Sequence, residues 1–152
     1  MNLPQRLASL GIVLPAISGP FGAYVPAKRV GSLIYVAGQI PMKDGKPLAT
    51  GPVPSRCSID QARLAARQCV INALAAVASL GTDALGQIRE VVRVGAFIHS
   101  DTGFTQQPQV ANAASELLIE IFGDAGKHAR AAVGVNALPL DVSVEIEFIF
   151  EI

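Results

Sequence analysis

The stretch Lys127-His-Ala-Arg130-Ala-Ala-Val-Gly-Val-Asn-Ala-Leu138-Pro139-Leu-Asp-Val142-Ser-Val-Glu145-Ile-Glu147-Phe-Ile-Phe-Glu151 decides how this chain folds. It holds two strand candidates. From Ala131 to Ala137 there is no charge, and Arg130 opens the run. In the second, Val142, Val144, Ile146, Phe148 and Phe150 alternate with Ser143, Glu145, Glu147 and Glu151, and only Ile149 breaks the pattern. Side chains of a strand alternate between its faces, so this pattern marks a half-buried strand. Arg130 then shares a face with Ala132, Gly134 and Asn136, and Glu145 shares one with Glu147. Pairing of the two strands through Leu138–Asp141 would set a guanidinium and a carboxylate on the polar face of one sheet. Such a face can hold a small carboxylate and a water.

Upstream, the pattern alternates between strand and helix. Asn2–Leu10 reads as a short helix, followed by the apolar run Ile12–Leu14, and Gly19, Pro20 and Gly22 mark a loop. Tyr24–Val30 and Leu33–Ile40 read as a hairpin turning at Gly31-Ser32. Met42–Cys57, with its glycines and prolines, reads as a loop. Ser58 with Gln61 forms a capping box that opens a helix to about Leu80, closed by Gly81. On that helix Ala62, Ala65, Ala66, Cys69, Ala73, Ala76 and Val77 form the apolar side, and Arg63, Arg67 and Asn72 the wet one. Ile88–His99 reads as a strand and Ser100–Gln107 as a polar loop. Pro108 opens a second helix, which Gly123 stops. The order ββαβαββ predicts an α+β domain: one mixed sheet with both helices on one face. Tyr35, Ala37, Phe97 and Ala132 are expected on the other, bare face, which a second chain would cover.

Composition narrows the classes of function. A length of 152 residues fits a single domain with one good core. Lysine plus arginine equals aspartate plus glutamate, 12 against 12, so no global field draws in nucleic acid. Hydrophobic residues make up 51% and charged ones 16%, an apolar balance that suits burial of surface by association. Glycine, proline or polar residues break the uncharged runs, so no membrane span is expected. No signal-peptide core precedes Pro15. Cys57 and Cys69 lack metal-motif spacing, and a cytoplasmic protein with free thiols is expected. His99 and His128 lie far apart in sequence and are poor in acidic neighbours at ligand spacing, so no metal site is expected.

The run Gly31-Ser-Leu-Ile-Tyr-Val-Ala-Gly38-Gln39-Ile-Pro41, followed at a suitable separation by Arg130, Leu138-Pro139 and Val144-Glu145-Ile-Glu147, resembles the YjgF/RidA family, also called the endoribonuclease L-PSP family. The likeness covers about Ala23 to Glu151, so residues 1–22 read as an N-terminal extension to a single domain over 23–152. It implies a chorismate-mutase-like fold and a homotrimer with active sites between neighbouring subunits. It implies that Arg130 binds a substrate carboxylate and Glu145 positions a water. Tyr24, Ala37, Gly38, Gln39, Asn112 and Ala132 fall on positions that line the cleft.

Each of these residues also has a plainer reading. Arg130 could pair with Asp124 or Glu145 at a strand edge. Glu145 could be a solvent-facing strand carboxylate like Glu147 and Glu151. Tyr24 could be an interface aromatic, Gly38 a simple bulge, and Asn112 a solvated helix residue. The chain also departs from the family pattern. Ala37 stands where a serine is common, Ala132 where many members have cysteine, and His128 where proline is usual.

The resemblance implies hydrolysis of reactive enamines and imines such as 2-aminoacrylate to a 2-keto acid and ammonia, without a cofactor. The expected partners are a small carboxylate-bearing imine or 2-keto acid and further copies of the chain. Two alternatives stand beside it: a non-enzymatic trimer that binds small carboxylates or keto acids, and the endoribonuclease of the family label. Balanced charge and the lack of a basic, aromatic stripe argue against the last.

Overall fold

A computed structural model describes residues 2–17, 19, 22–81 and 83–152; Pro20 of the expected loop lies outside them. The elements are α1 (Leu3–Ser9), β1 (Ala27–Val30), β2 (Leu33–Gln39), β3 (Met42–Lys43), β4 (Lys46–Pro47), α2 (Ile59–Ala78), β5 (Glu90–His99), α3 (Gln107–Phe122), β6 (Ala129–Val135) and β7 (Val144–Glu151). β3 and β4 form a small hairpin inside the expected loop. The other strands make one five-stranded sheet in the order β1-β2-β7-β5-β6. Its neighbours are antiparallel except β5 and β6, which run parallel because the α3 crossover joins them.

Local chemistry sets the element boundaries. At the start of α2, Gln61 N–H donates to Ser58 Oγ at 3.1 Å and Ser58 N–H to Gln61 Oε1 at 3.0 Å, the reciprocal capping box. Ser58→Ala is expected to cost about 1 kcal/mol, seen in a calorimetric melt as a fall in Tm of about 2–4 °C. α2 ends at Ala78, and Gly81, at φ +101°, turns the chain beyond it. Gly31, at φ +62°, makes the β1–β2 turn. β1 starts at Ala27 rather than Tyr24, because Pro26 has no N–H to give a ladder; its carbonyl still accepts from Ala37 N–H at 2.9 Å.

Both helices lie on one face of the sheet, α2 over β2 and β7, α3 over β5 and β6. Ile34 and Val36, Val94, Ala96 and Ile98, and Val144, Ile146, Phe148 and Phe150 point into that layer and are buried. Arg63 and Arg67 of α2 pair with Glu116 and Glu120 of α3 at 2.9 and 3.2 Å, tying the two helices together. Asn72 is not a wet position. It is buried, donating to the carbonyls of Ile40 and Met42 at 3.0 Å each and accepting from Gln68 at 2.9 Å. These bonds tie the segment that follows β2 to the helix.

The opposite face carries Tyr35, Ile149, Phe97, Ala131 and Val133 on adjacent strands, and Tyr35 and Val133 are 46% and 45% exposed. Ile149, the break in the β7 alternation, pairs with Tyr35 there. Ala132 does not join them. β6 pairs with β5 in the register Ala96↔Ala132, and because Ala96 faces the helices, Ala132 does too.

Candidate active site

The tail strands do not pair with each other. β5 lies between β6 and β7, and its register places their functional side chains on opposite faces. Arg130 stands beside Val94, a core residue, and so projects to the helix side at the outer edge of the sheet. Glu145 stands beside Phe97 on the uncovered side. The expectation that one chain presents both groups on one polar face is therefore overturned.

On the helix side, α3 grips the guanidinium. Nη1 of Arg130 donates to Asn112 Oδ1 at 2.9 Å and to Ser115 Oγ at 3.1 Å. Asn112 and Ser115 are three residues apart on a helix and so share a face. Neither carries charge. The carboxylates that could have neutralised Arg130 are engaged or remote: Asp124 binds Lys127 at 2.8 Å, and Glu145 is on the other face. Among the described residues Arg130 has no ion-pair partner. A half-buried guanidinium held by two neutral acceptors leaves an uncompensated positive charge at this edge of the sheet.

On the uncovered side, β2 bulges between Val36 and Gln39 against β7. The bulge brings Gly38 against Glu145, where a Cβ on Gly38 would lie 2.8 Å from Glu145 Oε1. Glycine is what lets the carboxyl lie over the strand. Gln39 folds back and donates to Ala37 O at 3.0 Å. Glu147 binds Arg93 at 2.9 Å, while Glu145 has no ion-pair partner among the described residues. Half-burial, and secondarily the Glu147 charge, push the Glu145 carboxyl above the ordinary range. That separates the two acids: Glu147 is paired with Arg93, and Glu145 has a raised pKa and no ion-pair partner among the described residues.

The sequence-derived residues thus fall into groups. Arg130, Asn112 and Ala132 lie together at the outer edge on the helix side, and Glu145, Gly38, Ala37 and Gln39 on the uncovered face. Tyr24 is exposed on the coil leading into β1, the opposite edge strand from β6. A concavity of about 550 Å³ lies apart from these groups, between α1, the 85–87 turn and the end of α3.

A family model described as "YjgF/chorismate mutase-like, putative endoribonuclease" matches residues 4–152. This chain belongs to the YjgF/RidA family. Protein TCP17 of Trypanosoma cruzi is 36% identical over 99% of this chain and 94% of its own length. A Dermatophagoides farinae protein named 2-iminobutanoate/2-iminopropanoate deaminase is 31% identical over 96% and 95%. The crystal structure of Atu1372 from Agrobacterium tumefaciens superposes with a TM-score of 0.89 at 41% identity, covering 99% of this chain and 91% of that one. The YjgF/RidA chorismate-mutase-like fold is thereby established for this chain.

Ser115, which sequence reading passed over, and His128, which it noted only as a departure from the family pattern, complete the Arg130 side of this YjgF/RidA chain. His128 Nδ1 lies 2.6 Å from Gly126 O, and Nε2 lies 2.9 Å from Ser115 Oγ. Their signal was spacing: Ser115 is three residues from Asn112 on a helix, and His128 two from Arg130 on an extended segment. Burial, with help from the Arg130 charge, holds the His128 ring below the usual histidine range against the opposing pull of the Gly126 carbonyl. The second histidine, His99, is buried at the far end of β5 with Nδ1 3.6 Å from Asp141 Oδ1. No group of three or more metal-ligating side chains occurs among the described residues. Both cysteines are buried, and burial pushes both thiols up, which disfavours the nucleophilic thiolate.

Proposed function

We propose that this chain hydrolyses small 2-imino acids and their enamine tautomers to 2-keto acids and ammonia. The observation that carries this reading is the guanidinium of Arg130, half-buried, held by Asn112 and Ser115, and without a carboxylate partner among the described residues. Arg130 binds the substrate carboxylate and so fixes the adjacent imine carbon in space. Water adds to that carbon, giving a carbinolamine. The nitrogen takes up a proton and leaves as ammonia as the C=O bond forms. The reaction consumes one water. Glu145, with its raised pKa, accepts the proton of the attacking water and returns it to the departing nitrogen.

Arg130 and Glu145 occupy opposite faces of one sheet, so a site that uses both draws them from two copies of the chain. The uncovered face with Tyr35, Ile149, Phe97 and Val133 supports an assembly that buries it. We expect a trimer: light scattering at micromolar concentration should give three times the chain mass, and a monomer would remove the shared site. Turnover of 2-aminoacrylate generated in situ tests the reaction itself, read as accelerated formation of pyruvate. The absence of a hydroxyl at Ala37 favours a second reading, a trimer that binds keto acids without turnover. Pyruvate binding with no acceleration would select it.

A further inference from the structure

We propose that His128 and Ser115 form a relay that aims Arg130, locking one nitrogen of the guanidinium so that its Nε–Nη2 edge meets the ligand carboxylate. The inference rests on the reading of Arg130 as the carboxylate anchor.

The relay follows from donor and acceptor counting. A carbonyl oxygen can only accept, so the 2.6 Å contact with Gly126 O fixes the His128 proton on Nδ1. In the neutral ring Nε2 is then a pure acceptor. Its 2.9 Å contact with Ser115 Oγ must be donated by the hydroxyl. With its proton committed to His128, Ser115 Oγ turns its lone pairs outward and accepts from Arg130 Nη1 at 3.1 Å. The burial that holds His128 below the usual histidine range keeps the ring in this neutral form near pH 7.

Arg130 Nη1 carries two protons, one taken by Ser115 and the other by Asn112 Oδ1 at 2.9 Å. Nη1 therefore has nothing left to give. Nε and Nη2 have no hydrogen-bond partner among the described residues, and together they form the edge that a carboxylate meets with two parallel bonds. Without His128, the Ser115 hydroxyl is free to rotate and to donate elsewhere, and the guanidinium gains rotational freedom that binding must remove. His128 and Ser115 thus act as positioning residues. His128 replaces the proline usual in the family, so this way of holding the arginine belongs to chains that carry the histidine and the serine together.

The test measures pyruvate binding to the intact assembly by calorimetry at pH 7.5. Ser115→Ala and His128→Leu are each expected to weaken binding about 3–10-fold, the effect of one neutral hydrogen bond. His128→Gln offers Oε1 as an acceptor for the same hydroxyl and should bind like the native chain. The double variant Ser115→Ala, His128→Leu should lose no more than Ser115→Ala alone, because the two residues act as one unit. Native affinity in Ser115→Ala, an affinity in His128→Gln as poor as in His128→Leu, or additive losses in the double variant would each overturn the relay. Should His128→Leu fail to fold, Ser115→Ala and His128→Gln decide the matter by themselves. Arg130→Met separates the two levels. If it binds pyruvate normally, the anchor reading fails; if it loses pyruvate while Ser115→Ala keeps it, only the relay fails.

Discussion

Arg130→Lys is expected to weaken 2-keto acid binding by about 1.5–3 kcal/mol, the usual range for hydrogen bonds to a charged group. Lysine keeps the charge but is a point donor on a flexible stem. It cannot spend one nitrogen on Asn112 and Ser115 and still offer a flat two-pronged edge to a carboxylate. Imine hydrolysis should fall with binding, because a loosely held substrate no longer presents its imine carbon in one place. Folding should hardly notice. The Arg130 partners are neutral and its side chain lies at the open edge of the sheet, where such contacts contribute little. Calorimetric titration with pyruvate, paired with a thermal melt, reads both quantities. A variant that loses its assembly but keeps its ligand affinity would make Arg130 an interface strut and sink the anchor.

Glu145→Gln should do the opposite, sparing binding and removing chemistry. The amide preserves the shape over Gly38 but can neither accept nor return the proton, and loss of a general base typically costs about 10²–10⁴-fold in rate. The carboxylate clamp is on other residues, so pyruvate affinity should stay near native. The sign of the stability change follows from the carboxyl being pushed upward. The folded chain then binds its proton more tightly than the unfolded chain, so ionised Glu145 subtracts stability as the pH rises from the ordinary carboxylate value through the raised one. Glutamine escapes that penalty. The variant should melt at or slightly above the native temperature at neutral pH, with the difference vanishing in acid. Undiminished turnover would move the role to a backbone-held water, since Glu147 is taken by Arg93.

The parts of the fold written in local chemistry were legible: the β7 alternation, the Ser58–Gln61 box, the Gly31-Ser32 turn and the Gly123 stop. Strand neighbours were not. Alternation says that Arg130 and Ala132 share a face, but not which strand lies beside them. The α3 crossover puts β6 outside β5, and this placement, invisible to periodicity, turns Arg130 and Ala132 toward the helices. Asn72 was misread for a related reason, because a polar residue inside a helix looks solvated until the loop carbonyls above it are known. For the candidate site, the family resemblance is what pointed to Arg130, Glu145, Asn112 and Gly38. Ser115 was passed over because serine on a helix is chemically unremarkable until a histidine and an arginine close on it from the neighbouring strand.

The division of Arg130 and Glu145 between two faces of the sheet has a genetic counterpart. A site drawn from two copies can be broken in one chain and mended by another. Chains carrying Arg130→Lys and chains carrying Glu145→Gln, unfolded together and refolded as mixed assemblies, should show more activity than either population alone. Some interfaces would then join the intact arginine of one parent to the intact glutamate of the other. Two alleles that each impair function would complement when expressed in the same cell. The same lesions placed together in one chain would not be mended by either single variant.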